Sequence, residues 1–133
     1  MFSVVREIHF SYGHRLFQHP GKCAHLHGHN ARVQVEISSQ MLDPQGMVIA
    51  FEQIKETIGL WIQKTLDHKM ILWDKDPVVA ILEKAGEPIV LLKENPTAEV
   101  LARVIFQEAR QLRLAVSKVV FWETADSSAS YHE

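Results

Sequence analysis

The sequence predicts an α+β domain in which an antiparallel β-sheet is covered by helices. Three observations predict it. The apolar residues recur with period two near the start of the chain, with a period near 3.6 through its middle, and as an apolar run near its end. Proline and glycine fall where the period changes and mark turns. No internal repeat or linker divides the 133 residues, so 1–133 reads as one domain.

Each element follows from the pattern. Residues 4–12 carry Val4, Ile8, Phe10 and Tyr12 at even positions, with Arg6 the exception, and read as a half-buried strand. Residues 31–38 alternate without fault and predict a second strand. Asp43-Pro44-Gln45-Gly46 is a turn, and residues 47–51 are expected to begin a further extended piece. Phe51, Ile54, Ile58, Trp61, Ile62 and Leu66 then follow helical spacing. Pro77 opens a short helix through Leu82 to Lys84 that Gly86 closes, and Ile89 to Leu92 form a short apolar strand. Asn95 is expected to cap a helix with Pro96 at its first position and Leu101, Val104, Ile105 and Leu112 on its stripe. Residues 116–124 form a last strand, apolar on both faces.

Composition narrows the function. A chain that is 47% hydrophobic and 23% charged is expected to fold. A net charge of -2 with no basic block argues against nucleic acid as a partner. No apolar run approaches the roughly 20 residues of a membrane span, and the first residues lack the pattern of a signal peptide. Cys23 is the only cysteine, so no intrachain disulfide forms and a reducing cytoplasm is the expected location.

Most of the eight histidines fall between His9 and His29. Side chains two apart on a strand share a face. His27 and His29 continue the odd-numbered face of Ala31, Val33, Val35 and Ile37, if the second strand reaches back that far. His14 continues the even face of Phe10 and Tyr12, if no bulge at Gly13 breaks the phase. Three imidazoles then converge on the covered side of the sheet, where each needs a partner to offset desolvation. A divalent metal serves all three and keeps one tetrahedral position open, the arrangement of catalytic zinc. His9 falls on the opposite face, His19 and His132 in loop or tail, and His25 reads as a supporting or surface residue.

The string Phe10-Ser11-Tyr12-Gly13-His14, followed by Cys23-x-x-x-His27-Gly28-His29-Asn30, resembles the pterin synthase family, which includes 6-pyruvoyl- and 6-carboxytetrahydropterin synthases. Gly46-Met47-Val48, Leu66-Asp67-His68, Pro96-Thr97-Ala98-Glu99 and Trp122-Glu123-Thr124 follow in the family's order. The resemblance implies the tunnelling fold (T-fold), whose subunits join their sheets into a barrel, commonly as a homohexamer built from two trimers with active sites between subunits. It implies zinc held by His14, His27 and His29, and a pterin triphosphate substrate, 7,8-dihydroneopterin triphosphate. Cys23 matches the proton-abstracting base, Asp67 and His68 an acid-base relay, Glu123 the carboxylate that grips the pterin, and Thr97 a pterin-contacting position. Without the resemblance, plainer roles stand beside these: an inert thiol, a helix-end pair, a carboxylate salt-bridged to arginine, and a helix-start hydroxyl.

Three residues separate Cys23 from His27, which is similar to the carboxytetrahydropterin branch and its lyase reaction in queuosine biosynthesis. A pyruvoyl-forming or side-chain-cleaving relative, or a non-catalytic zinc- and pterin-binding protein, are the alternatives. The chain departs from the family's common pattern at Ala50, Leu72 and Val100, which puts the branch and the pocket's shape in question rather than the general chemistry.

Overall fold

The computed structural model describes all residues 1–133. Two long strands, β1 (Phe2–His14) and β2 (His27–Ser39), pair antiparallel through their whole length, with Phe10 opposite Ala31, Tyr12 opposite His29 and His14 opposite His27. Their alternation follows the predicted parity: Phe10, Tyr12, Ala31, Val33, Val35 and Ile37 are buried. β5 (Val116–Trp122) adds antiparallel to β2, and β6 (Ser128–His132) to β5.

On the other side of β1 lie two strands that run parallel. β3 (Lys69–Trp73) pairs with β1, and β4 (Ile89–Leu92) with β3, giving the order β4-β3-β1-β2-β5-β6. The sheet is thus mixed, which corrects the expectation of a wholly antiparallel one. The physical reason is the connection: β3 runs antiparallel to β2, the strand before it in the chain, and so lies parallel to β1, while a helical crossover from β3 delivers β4 parallel to it, as a short turn cannot.

α1 (Phe51–Ile54), a π-helical turn (Lys55–Gly59) and α2 (Leu60–Thr65) make one continuous helix. Ile54, Ile58, Ile62 and Leu66, each four apart, are fully buried along it. The widened turn coincides with Thr57, whose hydroxyl donates back to the carbonyls of Gln53 (2.7 Å) and Ile54 (3.2 Å). α4 (Ala98–Gln111) buries Leu101, Ala102, Ile105, Phe106 and Ala109 against the same sheet face. Val104 is only half-buried at the margin of that stripe, and Leu112, at the residue after the helix's last, is exposed. The short α3 (Val78–Lys84) has its own cluster: Leu72 points away from its neighbour Ile71 and meets Val78 and Val79.

Four further expectations change. Residues 47–51 form no strand: the Asp43 carboxylate accepts from the N–H groups of Gln45 (2.8 Å) and Met47 (2.9 Å), tying the segment into a turn until α1 starts at Phe51. Thr97, not Asn95, caps α4, its hydroxyl accepting from Val100 N–H at 3.2 Å. The strand expected to reach residue 124 ends at Trp122. β6 lies outside the expected elements, because its alternation in Ser128-Ala129-Ser130-Tyr131-His132 is short and carries only one large ring; that ring, Tyr131, is held by Phe106 of α4, ring centres 5.0 Å apart.

Candidate metal centre and its cleft

The convergence of the three histidines has two conditions, and both hold. β1 runs unbroken through Gly13 to His14, and β2 begins at His27. His14 and His27 stand directly opposite one another with His29 two residues on, and the three ring centres lie 4.5 to 5.1 Å apart. On the other face of the strand Gly13 leaves room for the end of the Met70 side chain, whose Sδ lies 2.3 Å from where a β-carbon would stand.

Two of the three imidazoles are oriented from outside the cluster. His14 Nδ1–H donates to the carbonyl of Pro96 at 2.8 Å, and His27 Nδ1–H donates to the carbonyl of His25 at 2.7 Å. A carbonyl oxygen can only accept, so these bonds fix the tautomers and leave both Nε2 atoms as lone-pair donors. Those two Nε2 atoms face each other across 3.0 Å. His29 Nε2 is buried with no hydrogen-bond partner, and Glu123 Oε1 lies 3.0 Å from it but off the line a hydrogen bond needs. All four donor atoms fall within 4.8 Å of one another. Two ligands of a tetrahedral ion at 2.0–2.1 Å stand roughly 3.3 Å apart, close to both pair separations here.

The electrostatics agree with that geometry. His14 is 1% exposed. Burial first, then the neighbouring His27 and His29, push its pKa down to about 4, against the upward pull of the Pro96 carbonyl. Burial also lowers His29, with Glu123 pulling the other way. The neutral form that burial favours is the form that ligates, so this cluster can hold a metal ion.

Beside it opens a cleft of about 430 Å³ lined by Lys22, Cys23, His27, His29, Glu123 and Thr124. Cys23 lies on a single helical turn (Lys22–Ala24), and its carbonyl accepts from Leu16 N–H at 2.8 Å. The structure therefore places Cys23 in the cleft that His27 and His29 also line. Thr97 follows Pro96 directly and its hydroxyl is engaged in capping α4.

Asp67 and His68 sit elsewhere. The backbone turns at His68, φ 59°, which lets adjacent side chains meet: Asp67 Oδ2 lies 2.9 Å from His68 Nδ1. Asp67 Oδ1 accepts from Ser11 N–H at 3.0 Å, and His68 N–H donates to the Ser11 carbonyl at 2.7 Å. Partial burial raises the Asp67 carboxyl, but Ser11 N–H and His68 outweigh it and hold it below its usual range. The pair borders a hollow with His9, Ser11 and Asn30, the sheet face opposite the metal cluster. Within one chain the pair and Cys23 are not brought together.

Sequence reasoning missed three contributors. The carbonyls of Pro96 and His25 leave no trace in side-chain pattern. Tyr12 reads from the sequence as core, yet its ring lies 5.0 Å from His14 and 5.7 Å from His29, and its buried hydroxyl has no partner. Burial, then the Glu123 charge, raise that phenol's pKa; its parity with His14 was the available signal. Ala50, Leu72 and Val100 all lie outside the cleft.

Comparison with known proteins agrees with this architecture. A 6-carboxy-5,6,7,8-tetrahydropterin synthase of Rickettsia bellii is 36% identical over 104 residues, 77% of this chain and 75% of that protein. The enzyme of the same name from Haemophilus influenzae is 32% identical over 142 residues, covering both chains in full. Among solved structures, an uncharacterized protein from Wolinella succinogenes superposes with TM-score 0.82 at 24% identity, over 99% of this chain and 98% of the other. The 6-pyruvoyl tetrahydropterin synthase of Caenorhabditis elegans does so with TM-score 0.74 at 23% identity, over 99% and 95%; at these identities the likeness establishes the T-fold. The family described as 6-pyruvoyl tetrahydropterin synthase matches residues 3–133, and with the fold and the ordered motifs in place the chain belongs to that family.

Proposed function

We propose that this chain is a zinc-dependent 6-carboxy-5,6,7,8-tetrahydropterin synthase. It is a lyase converting 7,8-dihydroneopterin triphosphate and water to 6-carboxy-5,6,7,8-tetrahydropterin, acetaldehyde and triphosphate, a step toward queuosine. The observation that carries the reading is the pair of opposed Nε2 lone pairs, 3.0 Å apart, next to a cleft that Cys23 lines. The names of the relatives and the three-residue gap between Cys23 and His27 support the carboxy branch.

His14, His27 and His29 would hold the zinc. When bound, zinc polarises the hydroxyls of the substrate side chain and eases removal of neighbouring protons. Cys23 Sγ, as thiolate, takes a proton from a side-chain carbon. Glu123 accepts hydrogen bonds from the pterin amino and ring N–H groups, and Thr97 borders the pterin. Asp67 holds His68 through Nδ1 and leaves Nε2 to pass protons. Because this pair lies across the sheet from its own Cys23, a neighbouring subunit's pair completes the site in a homohexamer. The single cysteine suits a reducing cytoplasm.

Mass spectrometry of the products formed from 7,8-dihydroneopterin triphosphate by zinc-loaded protein tests the reading. A carboxy product with acetaldehyde is expected. A pyruvoyl product would move the chain to the other branch, and no turnover by a zinc-loaded assembly would overturn the enzymatic reading.

A further inference from the structure

We propose that Glu123 also acts as a gate. In the substrate-free protein its carboxylate closes the metal centre as fourth ligand, and it gives up that position when it takes hold of a pterin. This rests on the zinc- and pterin-binding reading and adds to it.

The first observation is an unexplained contact. Glu123 Oε1 and His29 Nε2 lie 3.0 Å apart, and no hydrogen bond joins them. No N–H or O–H of the chain bonds the Glu123 carboxylate within hydrogen-bond geometry. A half-buried carboxylate off the axis of a ring nitrogen makes no hydrogen bond to offset its desolvation, and a cation to which both atoms are directed supplies that offset. The same separation, 3.0 Å, recurs between His14 Nε2 and His27 Nε2. The four atoms thus form two pairs, each close to the roughly 3.3 Å edge of a tetrahedron around zinc. Three nitrogens and one carboxylate oxygen make a closed coordination shell.

The competing fourth ligand is Cys23. Its sulfur is outside the group of donor atoms that lie within 4.8 Å of one another, although it lines the same cleft. The thiol is therefore left free for proton transfer while the carboxylate closes the shell.

Glu123 is also placed to leave. Its N–H is held by the Ser127 carbonyl at 3.1 Å, which fixes the backbone at the end of β5. Its side chain is 25% exposed and faces the cleft, so the carboxylate can turn on a fixed base. Gripping an amino group and an adjacent ring N–H takes both carboxylate oxygens, and neither then remains for the metal. Binding of the pterin ring would open the fourth position to that substrate's own hydroxyls, and the empty protein would keep water from it.

Cobalt(II) in place of zinc makes the coordination visible in the absorption spectrum. The measurement compares wild type, Glu123→Gln and Cys23→Ala for cobalt spectrum and for zinc affinity by chelator competition, each with and without neopterin. The expected result is a loss of zinc affinity in Glu123→Gln of at least roughly 10- to 100-fold, the size seen when only the outer partner of a ligand is removed. Its cobalt spectrum should already differ before neopterin, the wild-type spectrum should change on adding neopterin, and Cys23→Ala should match wild type. Circular dichroism confirms that the variants fold, and Glu123→Asp, which keeps a carboxylate, should recover part of the affinity. Unchanged affinity and spectrum in Glu123→Gln, or a thiolate band lost in Cys23→Ala, would overturn the gate and leave the three-histidine centre standing. A wild-type chain that binds neither metal would overturn the centre itself.

Discussion

The side-chain amide of Asn95 pairs with both backbone polar groups of Phe17: Oδ1 accepts from Phe17 N–H at 2.9 Å and Nδ2 donates to the Phe17 carbonyl at 3.0 Å. This clamp joins residues 78 apart in sequence. On one side of it Pro96 offers its carbonyl to His14, and on the other Leu16 N–H holds the Cys23 carbonyl. Arg15, between them, is anchored by two bonds to the buried Asp76 carboxylate. His14 and Phe17 are thereby tied to Asn95-Pro96, Arg15 to Asp76 and Leu16 to Cys23.

Replacing Asn95 by alanine strands both groups of Phe17. Half-buried groups left without partners cost about 1–3 kcal/mol, so Asn95→Ala should lower the urea unfolding free energy by that amount. It should also weaken zinc binding through the displaced Pro96 carbonyl. Unaltered stability and metal affinity would show that the clamp positions nothing.

Cys23→Ala leaves the three imidazoles and their carbonyl partners untouched. Metal content should stay at the wild-type level, while turnover of 7,8-dihydroneopterin triphosphate falls by about 10²-fold or more if the thiolate is the base. A variant with wild-type rate would remove Cys23 from the chemistry.

The buried imidazole of His14 makes the metal-free protein sensitive to mild acid. Its pKa is pushed down to about 4 from an ordinary value of 6.5. As pH falls from 6.5 toward 4 the unfolded chain takes up this proton and the folded chain does not, so stability falls over that window, by up to roughly 3 kcal/mol. Asp67 and Asp76, both held below the ordinary 3.8, lose their contributions only at lower pH. Urea midpoints of the metal-free protein between pH 7 and pH 4.5 should decline steadily, and less so in His14→Gln. A flat profile in wild type would mean that His14 is not held neutral.

How much of this is readable from sequence follows from where the information lies. Side-chain parity on β1 and β2 places His14, His27 and His29 on one face, because a strand's period of two is a local property that the sequence displays directly. The direction of β3 and β4 is not readable, since it depends on where the crossovers deliver the chain rather than on Lys69–Trp73 or Ile89–Leu92 themselves. Asn95 looks like a helix cap because Asn before Pro is a common start signal. Its real partner, Phe17, is brought to it only by the tertiary fold. The Asp67–His68 contact needs a left-handed backbone at a histidine, which local pattern disfavours. That the pair lies across the sheet from Cys23 is a matter of topology alone.

The most direct test of the central claim is a crystal of the zinc-loaded protein measured on both sides of the zinc absorption edge. One anomalous peak per chain is expected, within bonding distance of Nε2 of His14, His27 and His29. No peak, or a peak away from these three nitrogens, would contradict the metal centre on which the functional reading depends.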